Sequence, residues 1–121
     1  MAVQSYRELI VWQKSMDVVE LVYRATKKFP KEEMYGLTSQ IRRAAVSIPS
    51  NIAEGQARKS TKEFRNFLSI AQGSKAEVET QVMIAVRLRY LTPQEAQPIL
   101  NLLEEISRMA ASLQNKLSTR H

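Results

Sequence analysis

Apolar positions recur every three or four residues along most of this chain, a spacing that is typical of amphipathic α-helices. The most informative stretch covers residues 40–55, where one helical face carries the apolar residues Ile41, Ala45, Ile48 and Ile52. No charged side chain occurs between Arg43 and Glu54, so the opposite side is also low in polarity. Such a helix needs cover on two sides. We expect the protein's own core to cover one side and a second copy of the chain to cover the other.

The periodicity and the helix-end signals together predict four helices, at about residues 5–28, 37–55, 60–90 and 93–118. Three helix starts carry a Ser or Thr followed three residues later by Glu, namely Ser5 with Glu8, Ser60 with Glu63 and Thr92 with Glu95. We interpret Gly55 as the residue that ends the second helix. Four helices with short connections predict an all-α fold, an antiparallel up-down-up-down four-helix bundle, with residues 1–121 in a single domain.

Each predicted helix has an apolar face that we assign to the core. In the first helix this face holds Leu9, Trp12, Met16, Val19 and Tyr23. In the third helix it holds Phe64, Phe67, Ala71, Val78, Val82 and Ala85, and in the fourth Ile99, Leu103, Ile106, Ala110, Leu113 and Leu117. The third face is broader than a normal stripe, which again indicates a second contact surface, because it also includes Ile70, Ile84 and Leu88.

The sequence offers little catalytic chemistry. It contains no cysteine, which excludes disulfides, thiolate metal sites and cysteine nucleophiles. Its one histidine is His121, at the carboxyl end, where we expect neither a general base nor a metal ligand. Phosphate-loop, dinucleotide-binding and nucleophile-elbow motifs are all missing from the sequence. We therefore expect a non-catalytic protein with no metal and no cofactor.

The apolar pattern also bears on the compartment. The first residues lack the apolar core of a signal peptide, and no apolar run approaches the roughly 20 residues that span a bilayer. The lack of cysteine fits a reducing compartment. We expect a cytoplasmic protein with no membrane partner.

The net charge of +6 comes from 18 Lys and Arg against 12 Asp and Glu, and the surplus lies before residue 91. Such a surplus favours an anionic partner, most often nucleic acid, and the alternative is a solvated surface rich in Lys and Arg. One cluster, in which we include Arg42 and Arg43, is assigned to the junction of the second and third helices, and another to the end of the first. The candidate phosphate-binding residues are Arg42, Arg58, Lys59, Lys62, Arg65, Arg87, Lys27 and Lys28.

A second polar set lies on the second helix opposite its isoleucines, at Arg43, Ser47, Ser50 and Glu54. Arg43 and Glu54 are about 16 Å apart at helical rise, so they cannot pair with each other. We expect each to find a partner on another helix or another subunit, with Glu77, Glu79 and Gln81 of the third helix as candidates, because a lone buried charge is costly. We interpret the set as a network that fixes register between subunits, and a ligand site is the alternative.

A longer pattern is more specific than any of these features. It comprises Leu9–Lys14, Phe29–Pro30 with Glu33, Tyr35–Thr38, Arg42–Gly55, and Ala71–Ser74 with Glu77 and Glu79. These segments resemble one bacterial family, the four-helix bundle proteins encoded within intervening sequences of 23S ribosomal RNA genes. The resemblance covers about residues 6–91, and its most specific part is the block from Arg42 to Gly55.

The resemblance implies a homopentamer of antiparallel four-helix bundles around a central channel, and it adds Asn51 to the polar network. The family is also similar to the accessory protein of diversity-generating retroelements, which binds nucleic acid and a reverse transcriptase through a basic surface. Our leading hypothesis is therefore a non-catalytic homo-oligomer that binds RNA or DNA phosphates with low sequence specificity. The alternative is an oligomeric scaffold that recruits a protein partner, with incidental affinity for nucleic acid.

Overall fold

The computed structural model describes residues 5–118 and places almost all of them in helices. The four α-helices are α1 (Ile10–Thr26), α2 (Leu37–Ala57), α3 (Thr61–Arg87) and α4 (Pro93–Ser118). Short 3-10 helices at Tyr6–Glu8 and Lys31–Glu33 precede α1 and α2. Each α-helix packs against the next one, and α4 closes against α1. The all-α, antiparallel up-down-up-down four-helix bundle is confirmed, while His121 lies outside the described residues.

The first helix is shorter than the sequence predicts. Ser5 and Glu8 do form a capping box, but the box caps the 3-10 helix and not α1. Leu9 then adopts an extended conformation, with φ −75° and ψ 124°, so α1 begins at Ile10. A capping box alone thus marks where a helical turn starts and does not show how far the turn continues.

The prediction that Gly55 ends α2 is wrong, because the helix continues through this residue to Ala57. Gly55 is buried against α3, and a Cβ atom added there would lie 2.5 Å from Cβ of Phe67. The chain instead turns at Lys59, whose φ of 58° lies in the left-handed region. Glycine is needed at residue 55 for the close approach of two helices and not for a helix end.

The third helix ends at Arg87, three residues before the predicted position. Arg89 adopts a left-handed φ of 64°, which lets the backbone N–H of Tyr90 donate to the carbonyl of Ala85 at 2.8 Å. This bond is of the kind that closes many helix ends. The fourth helix begins as predicted, because Glu95 N–H donates to Thr92 Oγ1 at 3.1 Å while Thr92 N–H donates to Glu95 Oε1 at 2.8 Å.

The core lies along the bundle axis and contains most of the predicted apolar faces. The four predicted residues of α2 are buried, as are Ala71, Val78, Val82 and Ala85 of α3 and Ile99, Leu103, Ile106, Ala110 and Leu117 of α4. Phe64, Phe67 and Leu113 are half-buried at the margin of this core. The hydrophobic spacing therefore predicts the inner faces of three helices well.

The inner face of α1 differs from the predicted one. Its buried residues are Val11, Ser15, Val18, Val22 and Thr26, whereas the predicted stripe lies along the edge and leaves Met16 and Tyr23 41% and 40% exposed. The two hydroxyl residues are tolerated in the core because each donates to a carbonyl of its own helix. Ser15 Oγ donates to the Trp12 carbonyl at 2.7 Å, and Thr26 Oγ1 donates to the Val22 carbonyl at 2.8 Å.

The connection between α1 and α2 is tied to the end of α3 through Glu33. One carboxylate oxygen of Glu33 accepts a hydrogen bond from the backbone N–H of Leu37 at 3.0 Å, and the other accepts from the Tyr90 hydroxyl at 2.8 Å. The ring of Tyr90 also lies 5.4 Å, between centroids, from the ring of Phe29. These contacts join three separate parts of the chain at one end of the bundle.

The hydrogen bonds of Glu33 predict that the stability of the protein falls at both low and high pH. The hydrogen bond from Leu37 N–H, and then that from Tyr90, lower the pKa of Glu33 below 4.5, so its stabilising effect is lost as pH falls through the lowered value. The hydrogen bond to Glu33 raises the pKa of Tyr90 above 10.0, so that effect is lost as pH rises through the raised value.

Tyr90→Phe keeps the ring and removes only the hydroxyl that donates to Glu33. We therefore expect it to lower the melting temperature at pH 7. We also expect the melting temperature of the variant to depend less on pH, at both acid and alkaline pH, than that of wild type. Thermal melts followed by circular dichroism across this pH range check the result. Tyr23→Phe is the matched control, since the Tyr23 hydroxyl makes no hydrogen bond within residues 5–118. Superimposable pH profiles for wild type and Tyr90→Phe would contradict the prediction.

Candidate nucleic-acid surface and polar groove

The predicted basic residues lie at two opposite ends of the bundle. Arg58, Lys59, Lys62 and Arg65 surround the α2–α3 connection, which we call the α2–α3 end. The other four residues, Lys27, Lys28, Arg42 and Arg87, lie towards the end where α1 finishes and α2 begins, which we call the α1–α2 end. The expectation that Arg42 and Arg43 join the α2–α3 junction is wrong, because about 22 Å of helix separates Arg43 from Arg58.

Three of these eight cations are engaged within the subunit. Arg42 Nε donates to Thr26 Oγ1 at 2.8 Å, and its guanidinium lies 4.6 Å from the ring centroid of Tyr23, so it joins α2 to α1. Lys28 forms an ion pair with Glu95 on α4. The third cation is Arg58, which is tied to the α2–α3 connection.

Arg58 bridges two carboxylates and also covers an aromatic ring. Its guanidinium nitrogens lie 2.8 Å from Glu54 and 3.4 Å from Glu63, and its central carbon lies 5.2 Å from the ring centroid of Phe67. The hydrogen bond to Glu54 is the main cause that raises the pKa of Arg58. The charge of Arg58 is therefore largely balanced inside the subunit.

The remaining five predicted cations are exposed and form no ion pair with any acidic residue among residues 5–118. They are Lys27 and Arg87 at the α1–α2 end, and Lys59, Lys62 and Arg65 at the α2–α3 end. Flexible, solvated ammonium and guanidinium groups of this kind can contact phosphates without reading bases. Three of the five predicted cations lie at the α2–α3 end.

Part of the predicted polar network forms hydrogen bonds within the subunit. The hydroxyl groups of Ser47 and Ser74 lie 2.7 Å apart across the α2–α3 contact, and Asn51 Nδ2 donates to the carbonyl and hydroxyl of Ser47 at 2.8 and 2.9 Å. The expectation that Glu54 needs a partner on another helix or subunit is wrong, because it pairs with Arg58, four residues on, at the C-cap of α2. Pairs with this spacing face each other on a helix.

Arg43 and Glu77 line a polar groove between α2 and α3, which we call the α2–α3 groove. Its volume is about 550 Å³, and it is lined by Tyr35, Ser39, Gln40, Arg43, Ala44, Ser47, Glu77 and Gln81. Neither Arg43 nor Glu77 forms an ion pair within the described part of the chain, although each lies in the groove. The expected partner of Arg43 on another helix is thus not found within residues 5–118, although the candidate Glu77 lines the same groove.

Of two notable groove residues, Gln81 is already among the candidates from the sequence, whereas Tyr35 was not predicted as part of a site. Gln81 is only 9% exposed, and its Oε1 atom has no hydrogen-bond partner among residues 5–118. Tyr35, at the mouth of the groove, is 97% exposed. An aromatic residue next to Gly36, in a short connection without a hydrophobic period, is the signal that could have revealed Tyr35.

A stripe of exposed apolar side chains follows α3 outside the core. Ile70, Ile84 and Leu88 remain 51%, 40% and 51% exposed, and we call them the α3 outer stripe. On α2, Val46 is 40% exposed and Ser50 is exposed. Large apolar side chains aligned in this way are typical of surfaces that contact another molecule.

Other kinds of site find little support in the described residues. No group of three or more His, Cys, Asp or Glu residues between 5 and 118 is placed to hold a metal ion. Over the same residues, no helix combines the length and the apolar character needed to cross a bilayer.

Comparisons with known proteins identify relatives of this chain. No curated protein matches it. A crystal structure of a protein with unknown function from the S23 ribosomal protein family of Bacteroides thetaiotaomicron matches with a TM-score of 0.78 and 27% identity, covering 87% of this chain and 98% of that one. The family model for the 23S rRNA-intervening sequence protein matches residues 7–112. The chain therefore belongs to the 23S rRNA-intervening sequence protein family.

Proposed function

We propose that this protein is a non-catalytic, cytoplasmic homo-oligomer that binds RNA or DNA through phosphate contacts with low sequence specificity. A pentamer is the assembly that the family resemblance implies. The observation that carries the proposal is that five of the predicted cations are exposed and form no ion pair with an acidic residue among residues 5–118, namely Lys27, Lys59, Lys62, Arg65 and Arg87. Contacts of this kind supply most of the affinity in non-specific binding of nucleic acid.

The surroundings of these cations favour backbone contact over base stacking. The nearest aromatic residues at the α2–α3 end are Phe64 and Phe67, which are half-buried, and Phe67 is covered by Arg58. Stacking on single strands needs an aromatic face that is open to the base. The α2–α3 end therefore fits a contact with phosphates.

The α3 outer stripe supports the oligomer. Ile84 and Leu88 expose apolar surface to water in the isolated subunit, and burial of the exposed half of one such side chain contributes about 1 kcal/mol. Val46 and Ser50 extend an uncharged surface on α2, as the sequence pattern predicts. Several subunits in a ring would bring several weak phosphate contacts to one nucleic acid, which raises the overall affinity.

Removal of the cations at the α2–α3 end tests the phosphate contacts. We expect the triple variant Lys59→Ala, Lys62→Ala, Arg65→Ala to bind a labelled single-stranded RNA more weakly and with a salt dependence reduced by about two units in the log–log slope. Thermal melting should change little, because all three side chains are exposed. Fluorescence anisotropy at several salt concentrations measures both quantities.

The control removes three cations that already have acidic partners. Lys14, Arg24 and Arg108 pair with Glu105, Glu20 and Glu104 within the subunit. The variant with Ala at these three positions has the same net charge as the first but should keep a salt slope closer to that of wild type. The proposal would be contradicted if wild-type binding did not respond to salt, or if the two variants lost the same RNA affinity and the same salt slope.

The second candidate function is a scaffold that recruits a protein partner. The α3 outer stripe favours it, because an exposed apolar surface can dock a different protein as well as another copy of the chain. Co-purification after nuclease treatment separates the two functions. A protein partner that remains bound without nucleic acid supports the scaffold, whereas loss of every partner on nuclease treatment supports the nucleic-acid function.

A further inference from the structure

We propose that the α2–α3 groove binds an unpaired nucleotide, and that its acceptors select a base with adjacent N–H donors, which is guanine. This inference rests on the proposed function, because it assigns a base-reading site to a protein proposed to hold nucleic acid by its phosphates. It adds a local preference at one nucleotide to binding that is otherwise insensitive to sequence.

The first argument is the unsatisfied amide of Gln81. Its Oε1 atom is buried and accepts no hydrogen bond within the described structure, which is a costly state for a polar group. Gln81 nevertheless lines an open groove of about 550 Å³, which is large enough for a nucleotide-sized molecule. A ligand donor that reaches into the groove would satisfy this acceptor.

The second argument is the placement of Glu77, one helical turn before Gln81 on α3. Residues four apart on a helix lie on the same side, with about 6 Å between their Cβ atoms. The groove thus offers two neighbouring acceptors, a carboxylate and an amide oxygen, and both line the same wall. Among the bases, guanine carries two adjacent donors on its pairing edge, the ring N–H and the exocyclic amino group.

The third argument is that Arg43 and Tyr35 can contact the other parts of a nucleotide, its phosphate and the face of its base. Arg43 lies on the opposite wall, on α2, and its guanidinium can contact the phosphate of the same nucleotide. Tyr35 stands at the mouth of the groove with 97% of its surface exposed, so its ring can stack on a base. Aromatic stacking with hydrogen bonds to the pairing edge is the usual way in which proteins read single-stranded RNA.

A second copy of the chain is the competing occupant of this groove. The acceptors on one wall and the lone cation on the other suit a small ligand with donors at one end and negative charge at the other. The apolar side chains that suit a subunit contact, the α3 outer stripe and Val46, flank the groove but do not line it. The exposed ring of Tyr35 is also more typical of a stacking platform than of a packed interface.

The test measures the binding of three labelled pentanucleotides at low salt. They are UUGUU, the same strand with inosine in place of guanosine, and a strand of uridine alone. We expect wild type to bind the guanosine strand about tenfold more tightly than the uridine strand, with inosine between them, because inosine lacks the exocyclic amino group.

Two variants place this preference in the groove. Gln81→Met removes the acceptor while keeping a similar volume, and Glu77→Gln removes the charge, so each should abolish most of the tenfold preference. Tyr35→Ala should weaken the binding of all three strands, because the stacking ring is lost. Tyr35→Phe keeps the ring and should bind them about as tightly as wild type does. Gln94→Met on the exposed first turn of α4 is the matched control and should behave like wild type.

A measurement of stability separates a ligand role for Gln81 from a structural one. Gln81→Met should raise the melting temperature, because it removes a buried acceptor that has no partner. A lower melting temperature together with an unchanged guanosine preference would overturn the inference.

Three further outcomes would overturn it in different ways. Equal binding of the three strands by wild type would refute the groove site and leave the phosphate contacts standing. A shift of Gln81→Met or Tyr35→Ala to smaller species in sedimentation velocity would show that another copy of the chain fills the groove. No binding of any strand at low salt would refute the proposed function and, with it, this inference.

Discussion

Gly55→Ala is expected to lower the free energy of unfolding by about 2 kcal/mol, although alanine favours a helix more than glycine does. The added Cβ atom would lie 2.5 Å from Cβ of Phe67 and 3.2 Å from Cδ1 of Phe64. The Cβ of Phe67 is fixed to its backbone, so relief requires that α2 and α3 move apart. Urea unfolding followed by circular dichroism measures the change.

Gly73→Ala is the matched control, because Gly73 also lies inside a helix but has no atom within 4 Å of the position that its Cβ would occupy. Here the helix propensity of alanine acts alone and should raise the free energy of unfolding by about 1 kcal/mol. The two substitutions should therefore differ in sign. Equal effects from both would show that close contact with Phe67 does not explain the glycine at residue 55.

Ile84→Glu combined with Leu88→Glu is expected to reduce the assembly to subunits. A carboxylate placed in an apolar contact between copies would lose its hydration without gaining a partner, at a cost of several kcal/mol. Both side chains are exposed in the single subunit, so the helix content should stay unchanged. Sedimentation velocity measures the mass, and circular dichroism checks the fold.

Ile10→Glu provides the control for this change. Ile10 is 58% exposed at the start of α1 and lies away from the α3 outer stripe, so its substitution should leave the mass unaltered. A wild-type protein that sediments as a single subunit would refute the oligomer. A double variant that keeps the mass of the wild type would refute the assignment of the α3 outer stripe to the contact.

The sequence predicts the bundle well because its fold depends on a repeating signal. The period of three to four residues identifies all four helices, and in α2, α3 and α4 it also identifies the buried face. It misplaces the inner face of α1, because Ser15 and Thr26 look polar in a sequence. Their hydroxyl groups become compatible with burial only through hydrogen bonds to backbone carbonyls.

The candidate sites are less predictable, since they depend on distances between helices. Proximity along the chain suggests that Arg42 belongs with the cations of the α2–α3 end, yet its actual neighbours are Thr26 and Tyr23 on α1. The missing hydrogen bond of Gln81 likewise depends on how α2 lies against α3. A linear pattern shows the charges of a surface but not which of them are balanced by another helix.

The separation of the two basic ends sets a length for any nucleic acid that contacts both. Arg65 and Arg87 are 22 residues apart on α3, which is close to six helical turns, so they point to the same side with about 33 Å between them. One turn of a double helix advances by roughly 34 Å. A duplex lying along α3 would present the same groove to each end of the subunit, whereas a fragment much shorter than one turn would reach only one of them.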